Sequence, residues 1–121
     1  MSSALKILVV DDDTDAADSL AELFEMEGHQ VATAYDGDGA IQRAQSDGFD
    51  VAFMDIMMPG RNGVESFLEI RKFKPEAKVY MMTGFSVNEL VDMAVQNGAM
   101  GVFSKPVDLQ KVFDVLEANA A

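Results

Sequence analysis

Val51-Ala52-Phe53-Met54-Asp55 is an unbroken apolar run closed by an acid, and the reading of this stretch decides the fold. A strand without polar alternation suits the interior of a parallel sheet that is covered on both faces. A second run of the same kind, Ile7-Leu8-Val9-Val10, is closed by Asp11-Asp12-Asp13. If both runs are parallel strands of one sheet, their acids gather at a single edge. Two unit charges about 5 Å apart at an effective dielectric of about 20 repel by roughly 3 kcal/mol, so a divalent metal or a lysine must answer them.

Outward from these two runs, strand-like segments recur at Lys6–Val10, Gln30–Ala34, Asp50–Met54, Lys78–Met82 and Gly101–Ser104. Amphipathic helices are predicted between them. Ala17, Leu20, Ala21 and Phe24 share one helical face, as do Val87, Leu90, Val91 and Ala94, and Leu109, Val112, Phe113 and Leu116. Ala40, Ile41 and Ala44 mark the second helix, and Val64, Phe67 and Leu68 the third. Gly28, Gly48 and Gly98 each follow a helical run and supply the left-handed residue that ends it, while Pro75 closes the third helix. The expected class is α/β, a doubly wound five-stranded parallel sheet. The elements use nearly everything from Leu5 to Asn119, which reads as one domain over residues 1–121 with no room for an output domain. In such sheets ligands bind beyond the carboxyl ends of the strands, where this chain carries Asp11-Asp12, Asp55, Thr83 and Lys105.

The chain has 121 residues, of which 9 are basic and 21 acidic, for a formal charge of -12. So acidic a surface is repelled by phosphate backbones and anionic membranes, which points to proteins and cations as partners and away from nucleic acid. Cysteine is absent, which excludes disulfides, thiolate zinc sites and cysteine nucleophiles. The opening Met1-Ser2-Ser3-Ala4-Leu5-Lys6 lacks a signal-peptide core, and no apolar stretch approaches bilayer length, so the expected location is the cytoplasm.

Each polar signal has an ordinary reading. Asp13 or Thr14 is expected to cap the first helix, Asp55 can open a turn, and Lys105-Pro106 can be a surface lysine at a bend. A helix start needs one cap, however, so Asp11 and Asp12 call for another role. Together, carboxylates, a hydroxyl and an ammonium at strand ends one, three, four and five make an inventory for handling a phosphoryl group with Mg²⁺. Asp55 is then the nucleophile that becomes an acyl phosphate. Asp11 and Asp12, with a backbone carbonyl just past Asp55, hold the oxygen-liganded ion, while Lys105 and Thr83 take phosphoryl oxygens.

Ile7-Leu8-Val9-Val10-Asp11-Asp12-Asp13, Asp55-Ile56-Met57-Met58-Pro59-Gly60, Thr83-Gly84 and Lys105-Pro106 together resemble the response-regulator receiver domain of two-component signalling. The match covers essentially the whole chain, in the right order and spacing. The resemblance implies a flavodoxin-like sheet of strand order 2-1-3-4-5 and Asp55 as phosphoacceptor from a histidine kinase or histidine phosphotransfer protein. It implies Asp11 and Asp12 as ligands of Mg²⁺, or Mn²⁺ in its place, with Asp55 and the Met57 backbone carbonyl completing the set. It further implies a cis bond before Pro106 and a conformational switch through Thr83 and Phe103. Such a domain catalyses only its own phosphorylation and dephosphorylation. Phe103 stands where tyrosine is frequent and has no hydroxyl to offer an output partner; Gly84 stands where alanine is frequent. Met57 and Phe85 occupy positions that in this family influence the approach of hydrolytic water, and both are bulky and apolar, so the resemblance implies a comparatively long-lived phosphoryl group.

The main alternative is an aspartate-nucleophile phosphatase of haloacid dehalogenase type, which also opens with a strand ending in Asp-x-Asp. That reading leaves Asp55 idle and finds Asp15 where threonine or valine is usual. A flavodoxin-type flavin module shares the topology, but its phosphate loop is not acidic. A degenerate scaffolding receiver would have lost the acceptor or the lysine. His29 is expected at the surface without a role, and Arg61, Arg71, Lys72, Lys74 and Lys78 as a solvated basic face. The downstream protein target is not written in these residues. Acidic helix one, with Asp15, Asp18, Glu22, Glu25 and Glu27, is expected beside the site as a solvated face or part of a kinase-docking face.

Overall fold

Strand β3, Val51–Asp55, is buried at every position and lies at the centre of the sheet in the computed structural model, which describes residues 4–84 and 88–120. Around it run β1 (Lys6–Val10), β2 (Gln30–Ala34), β4 (Val79–Thr83) and β5 (Gly101–Ser104), all parallel, in the order β2-β1-β3-β4-β5. The connecting helices are α1 (Thr14–Met26), α2 (Gly37–Ser46), α3 (Gly63–Phe73), α4 (Asn88–Gln96) and α5 (Leu109–Ala120).

Because side chains alternate across a strand, a run that is apolar throughout feeds two cores at once. Val51 and Phe53 join Ile7, Val9 and Met82 under α1 and α5, where Phe24 packs 5.3 Å from the Phe53 ring. Ala52 and Met54 join Leu8, Val10, Val79 and Met81 on the other face, under Ala40, Phe67, Ile70 and Ala94 of α2, α3 and α4. Helix ends follow the glycines: Gly28, Gly48 and Gly98 have φ of 93°, 70° and 98°, a region costly for residues with a β-carbon.

Several expectations need correction. The third and fourth strands start and end one residue later than the expected segments Asp50–Met54 and Lys78–Met82, because ladder hydrogen bonds take in the polar residue that closes each apolar run. Asp55 pairs with Met82, Thr83 pairs with Ser104, and the Ile56 amide donates to the Met82 carbonyl at 2.9 Å. Leu109 is exposed, since it opens α5 ahead of the turn that packs through Val112 and Leu116. His29 is half-buried, and its Nδ1 accepts a hydrogen bond from the Leu5 amide at 3.0 Å, tying the start of β1 to the α1–β2 turn. Arg71 does not belong to a solvated face: its guanidinium lies 5.5 Å from the Phe67 ring centroid and donates to the Ala77 carbonyl. Val87, expected on the inner face of α4, lies outside the described residues.

The β3–α3 connection, which matters most for the site, is closed by a capping box. The Asn62 side chain accepts from the Glu65 amide at 2.9 Å, and the Glu65 carboxylate accepts from the Asn62 amide at 3.0 Å. Asn62→Ala is expected to cost about 1 kcal/mol, read as a lower urea midpoint with unchanged m-value; an unchanged midpoint would show that the loop holds without its cap.

Candidate functional site

The chain direction of the five strands places their carboxyl ends together, and the chemistry-bearing residues of the sequence emerge there. Asp11 follows β1 and Asp55 ends β3, with only 3% and 5% of their surfaces exposed, while Asp12 faces solvent. Ligand oxygens of Asp11, Asp12 and Asp55 all lie within 4.8 Å of one another. Lys105, just past β5, places Nζ 2.6 Å from Asp11 Oδ2 and 2.9 Å from Asp55 Oδ2. Its own amide donates to the Thr83 carbonyl at 2.8 Å, which fastens the end of β5 to that of β4. The Lys105–Pro106 peptide is cis.

Two backbone donors escaped the sequence reading. The Asp13 amide donates to Asp11 Oδ1 at 3.0 Å, and the Met57 amide donates to Asp55 Oδ1 at 3.2 Å. Both are the two-residue Asx contact that an acid at a turn makes with its own backbone, so the turn reading of Asp55 holds, and it leaves the second carboxylate oxygen to Lys105. That spacing was the available signal. Asp13 itself caps α1, its carboxylate accepting from the Ala16 amide at 3.1 Å.

Other expected residues lie around the cluster. Thr83 is buried at the tip of β4. Phe103 is half-buried two residues before Lys105, its ring 5.8 Å from Tyr80 and 6.2 Å from Phe53, within the core under α1 and α5. Met57 is 41% exposed beside the acids, unlike its buried neighbour Met58. A methyl group added at Gly84 would make ordinary contacts of 3.8 and 3.9 Å with the Lys105 side chain, so space does not demand glycine there. Phe85 lies outside the described residues.

Three carboxylates gather here, and one ammonium, Lys105, bonds two of them, Asp11 and Asp55. Burial pushes the Asp55 carboxyl above its ordinary value of 3.8; the Lys105 bond pulls it down, and the Asp11 charge pushes it up again. Burial pulls Lys105 down, but its bonds to Asp11 and Asp55 outweigh that and hold it above 10.5. Three carboxyl groups face one ammonium, and the ligand atoms they offer are all hard oxygens. Among the described residues each buried acid accepts one backbone amide and the lysine, fewer bonds than its two oxygens can take, so the residues fit Mg²⁺ or Mn²⁺.

A pH dependence follows from Asp55. Its folded chain holds the proton more tightly than the unfolded chain, so stability falls as pH rises from 3.8 through the higher folded value. In metal-free buffer, the urea midpoint of the native chain is expected to drop across that interval relative to Asp55→Asn. Parallel profiles for the two proteins would contradict the assigned burial effect.

Comparison with known proteins agrees with this architecture. Residues 7–117 match the family model of the response regulator receiver domain. The chain is 35% identical to the chemotaxis protein CheY of Treponema pallidum over 112 residues, 90% of this chain and 78% of that protein. It is 33% identical to the transcriptional regulatory protein ZraR of Salmonella typhimurium over 97% of its own length but only 26% of that protein's, so it spans about a quarter of that relative. Among solved structures, a CheY-like response regulator receiver domain protein from Methanospirillum hungatei superposes with a TM-score of 0.88, at 30% identity and 97% coverage of both chains. The haloacid dehalogenase alternative finds no support in these likenesses.

Proposed function

The chain belongs to the response regulator receiver domain family, and from that premise we propose that Asp55 accepts a phosphoryl group from the phosphohistidine of a histidine kinase or histidine phosphotransfer protein. Residues 1–121 act as one receiver unit. The observation that carries this reading is the Lys105 ammonium held between Asp11 Oδ2 and Asp55 Oδ2 at the sheet edge. An Asp55 carboxylate oxygen attacks phosphorus, the phosphorus–nitrogen bond breaks, and the electron pair leaves on the imidazole nitrogen, which takes a proton from solvent. Lys105 and the Thr83 hydroxyl receive two of the phosphoryl oxygens, and the Met57 amide holds the attacking carboxylate in place. Asp11, Asp12, Asp55 and the Met57 carbonyl would hold Mg²⁺, which when bound neutralises charge on the phosphoryl oxygens.

The acyl phosphate brings nearly two negative charges and three strong acceptors into the cluster. Thr83 and Lys105 shift toward it, and Phe103 follows, carrying the change to the face formed by α4, β5 and α5. The exposed Met57 side chain obstructs hydrolytic water and prolongs the phosphoryl lifetime. The acids of α1 form part of the face offered to the phosphodonor. Among the described residues no helix is long and apolar enough to cross a membrane, in keeping with a cytoplasmic domain.

The test is to incubate the chain with Mg²⁺ and acetyl phosphate, reduce the acyl phosphate with borohydride, and locate the modified residue by peptide mass analysis. Modification of Asp55 is expected; modification of Asp11 in its place would put the nucleophile at the end of β1 and overturn the assignment.

A further inference from the structure

Gly63 opens α3 with an ordinary backbone conformation, since it is absent from the glycines of positive φ. What requires glycine there is space. A β-carbon on Gly63 would overlap the carbonyl oxygen of Asp55 and lie 2.9 Å from both the Asp55 carbonyl carbon and Ile56 Cα. The Gly63 amide also donates to the Ile56 carbonyl at 2.8 Å. The first turn of α3 therefore rests directly on the peptide that roots the Asp55 side chain and leads into Met57. One layer further out, Gly37 opens α2 in the same manner. A β-carbon there would overlap Ser66 Oγ of α3 and approach the Arg61 carbonyl to 2.8 Å.

We propose that Gly63 is a positioning residue for the Asp55 site: its missing side chain lets α3 clamp the Asp55–Ile56 peptide and so sets the direction of the Asp55 carboxylate and the Met57 backbone. The proposal rests on the phosphoacceptor reading of Asp55. A methyl group at position 63 has only backbone to push against, so it must either turn that peptide or lift the helix start. The first moves the carboxylate relative to Asp11 and Lys105, and the second removes the contact that holds its peptide in place. A methyl group at position 37 pushes on a serine hydroxyl and a loop carbonyl, one layer away from the acids.

The experiment compares Gly63→Ala, Gly37→Ala and the native chain in urea unfolding, Mg²⁺ titration by calorimetry, and acetyl phosphate labelling. Both variants are expected to be destabilised, but only Gly63→Ala to lose Mg²⁺ affinity, by about 10- to 100-fold as for other supports of metal ligands, with labelling slowed in parallel. Native affinity and labelling in folded Gly63→Ala would overturn the proposal. So would an equal loss in Gly37→Ala, which would indicate general slackening. In case Gly63→Ala does not fold, hydrogen exchange of the native chain decides: the Gly63 amide should slow when Mg²⁺ binds, and an unchanged rate overturns the proposal. Failure of the native chain itself to be labelled would instead remove the phosphoacceptor reading.

Discussion

Asp55→Asn protein incubated with Mg²⁺ and acetyl phosphate is expected to keep its unmodified mass, while the native chain gains one phosphoryl increment. The substitution preserves shape and replaces a charged oxygen nucleophile by a neutral amide. Asp11 is equally buried and also touches Lys105, so a carboxylate remains within the cluster. Its silence in the variant is therefore informative. The amide should also change the energetics. Burial and the Asp11 charge disfavour the Asp55 carboxylate more than Lys105 favours it, so in metal-free buffer the variant should unfold at higher urea than the native chain. Adding Mg²⁺ at ten to a hundred times its dissociation constant should stabilise the native chain by about 1.4 to 2.7 kcal/mol and the variant by much less. Labelling that persists in Asp55→Asn would place the nucleophile elsewhere and undo the assignment.

Lys105→Met is expected to slow labelling of Asp55 by about 10²- to 10³-fold, the usual loss when one preorganised donor to a developing charge is removed. The same change leaves Asp11 and Asp55 buried and facing each other, without the one positive partner they have among the described residues. Breaking a buried ion pair from one side costs about 3 to 5 kcal/mol, and the partial exposure of the Lys105 side chain, 29%, places this case near the lower end. Mg²⁺ should restore part of the lost stability and little of the rate, because the ion neutralises the carboxylates without replacing the ammonium's contact with the phosphoryl group. A variant with native stability and native labelling would mean that the two short contacts of Lys105 carry no function.

These two residues also illustrate how much was legible in the chain. Asp55 and Lys105 are 50 positions apart, yet both close a strand-like run. Parallel strands of an open sheet expose their carboxyl ends on one side, so the convergence could be argued before any coordinates. Positions of the strand ends could not be read as well, because hydropathy records burial and not hydrogen bonding. Asp55 and Thr83 are polar and still belong to the ladder. Arg71 and His29 were misread for a related reason: a long cationic side chain can lay its apolar stem and guanidinium over a ring, and a neutral imidazole can accept an amide proton, without leaving any periodic trace.

The order of apolar runs and the residues that close them determined, by themselves, an α/β sheet with acids, a hydroxyl and an ammonium at one edge. Those features depend on composition and on the two-residue period of a strand, both of which are local. Only the tertiary structure decided that the Asp13 and Met57 amides hold the two buried carboxylates, that Lys105 bridges them, and that Gly63 must lack a side chain so that α3 can rest on the Asp55 peptide. Those are contacts of a few ångströms between segments distant in the chain or between backbone groups. Every residue but proline carries the same backbone donor and acceptor, so their use at a site is set by packing far more than by residue type.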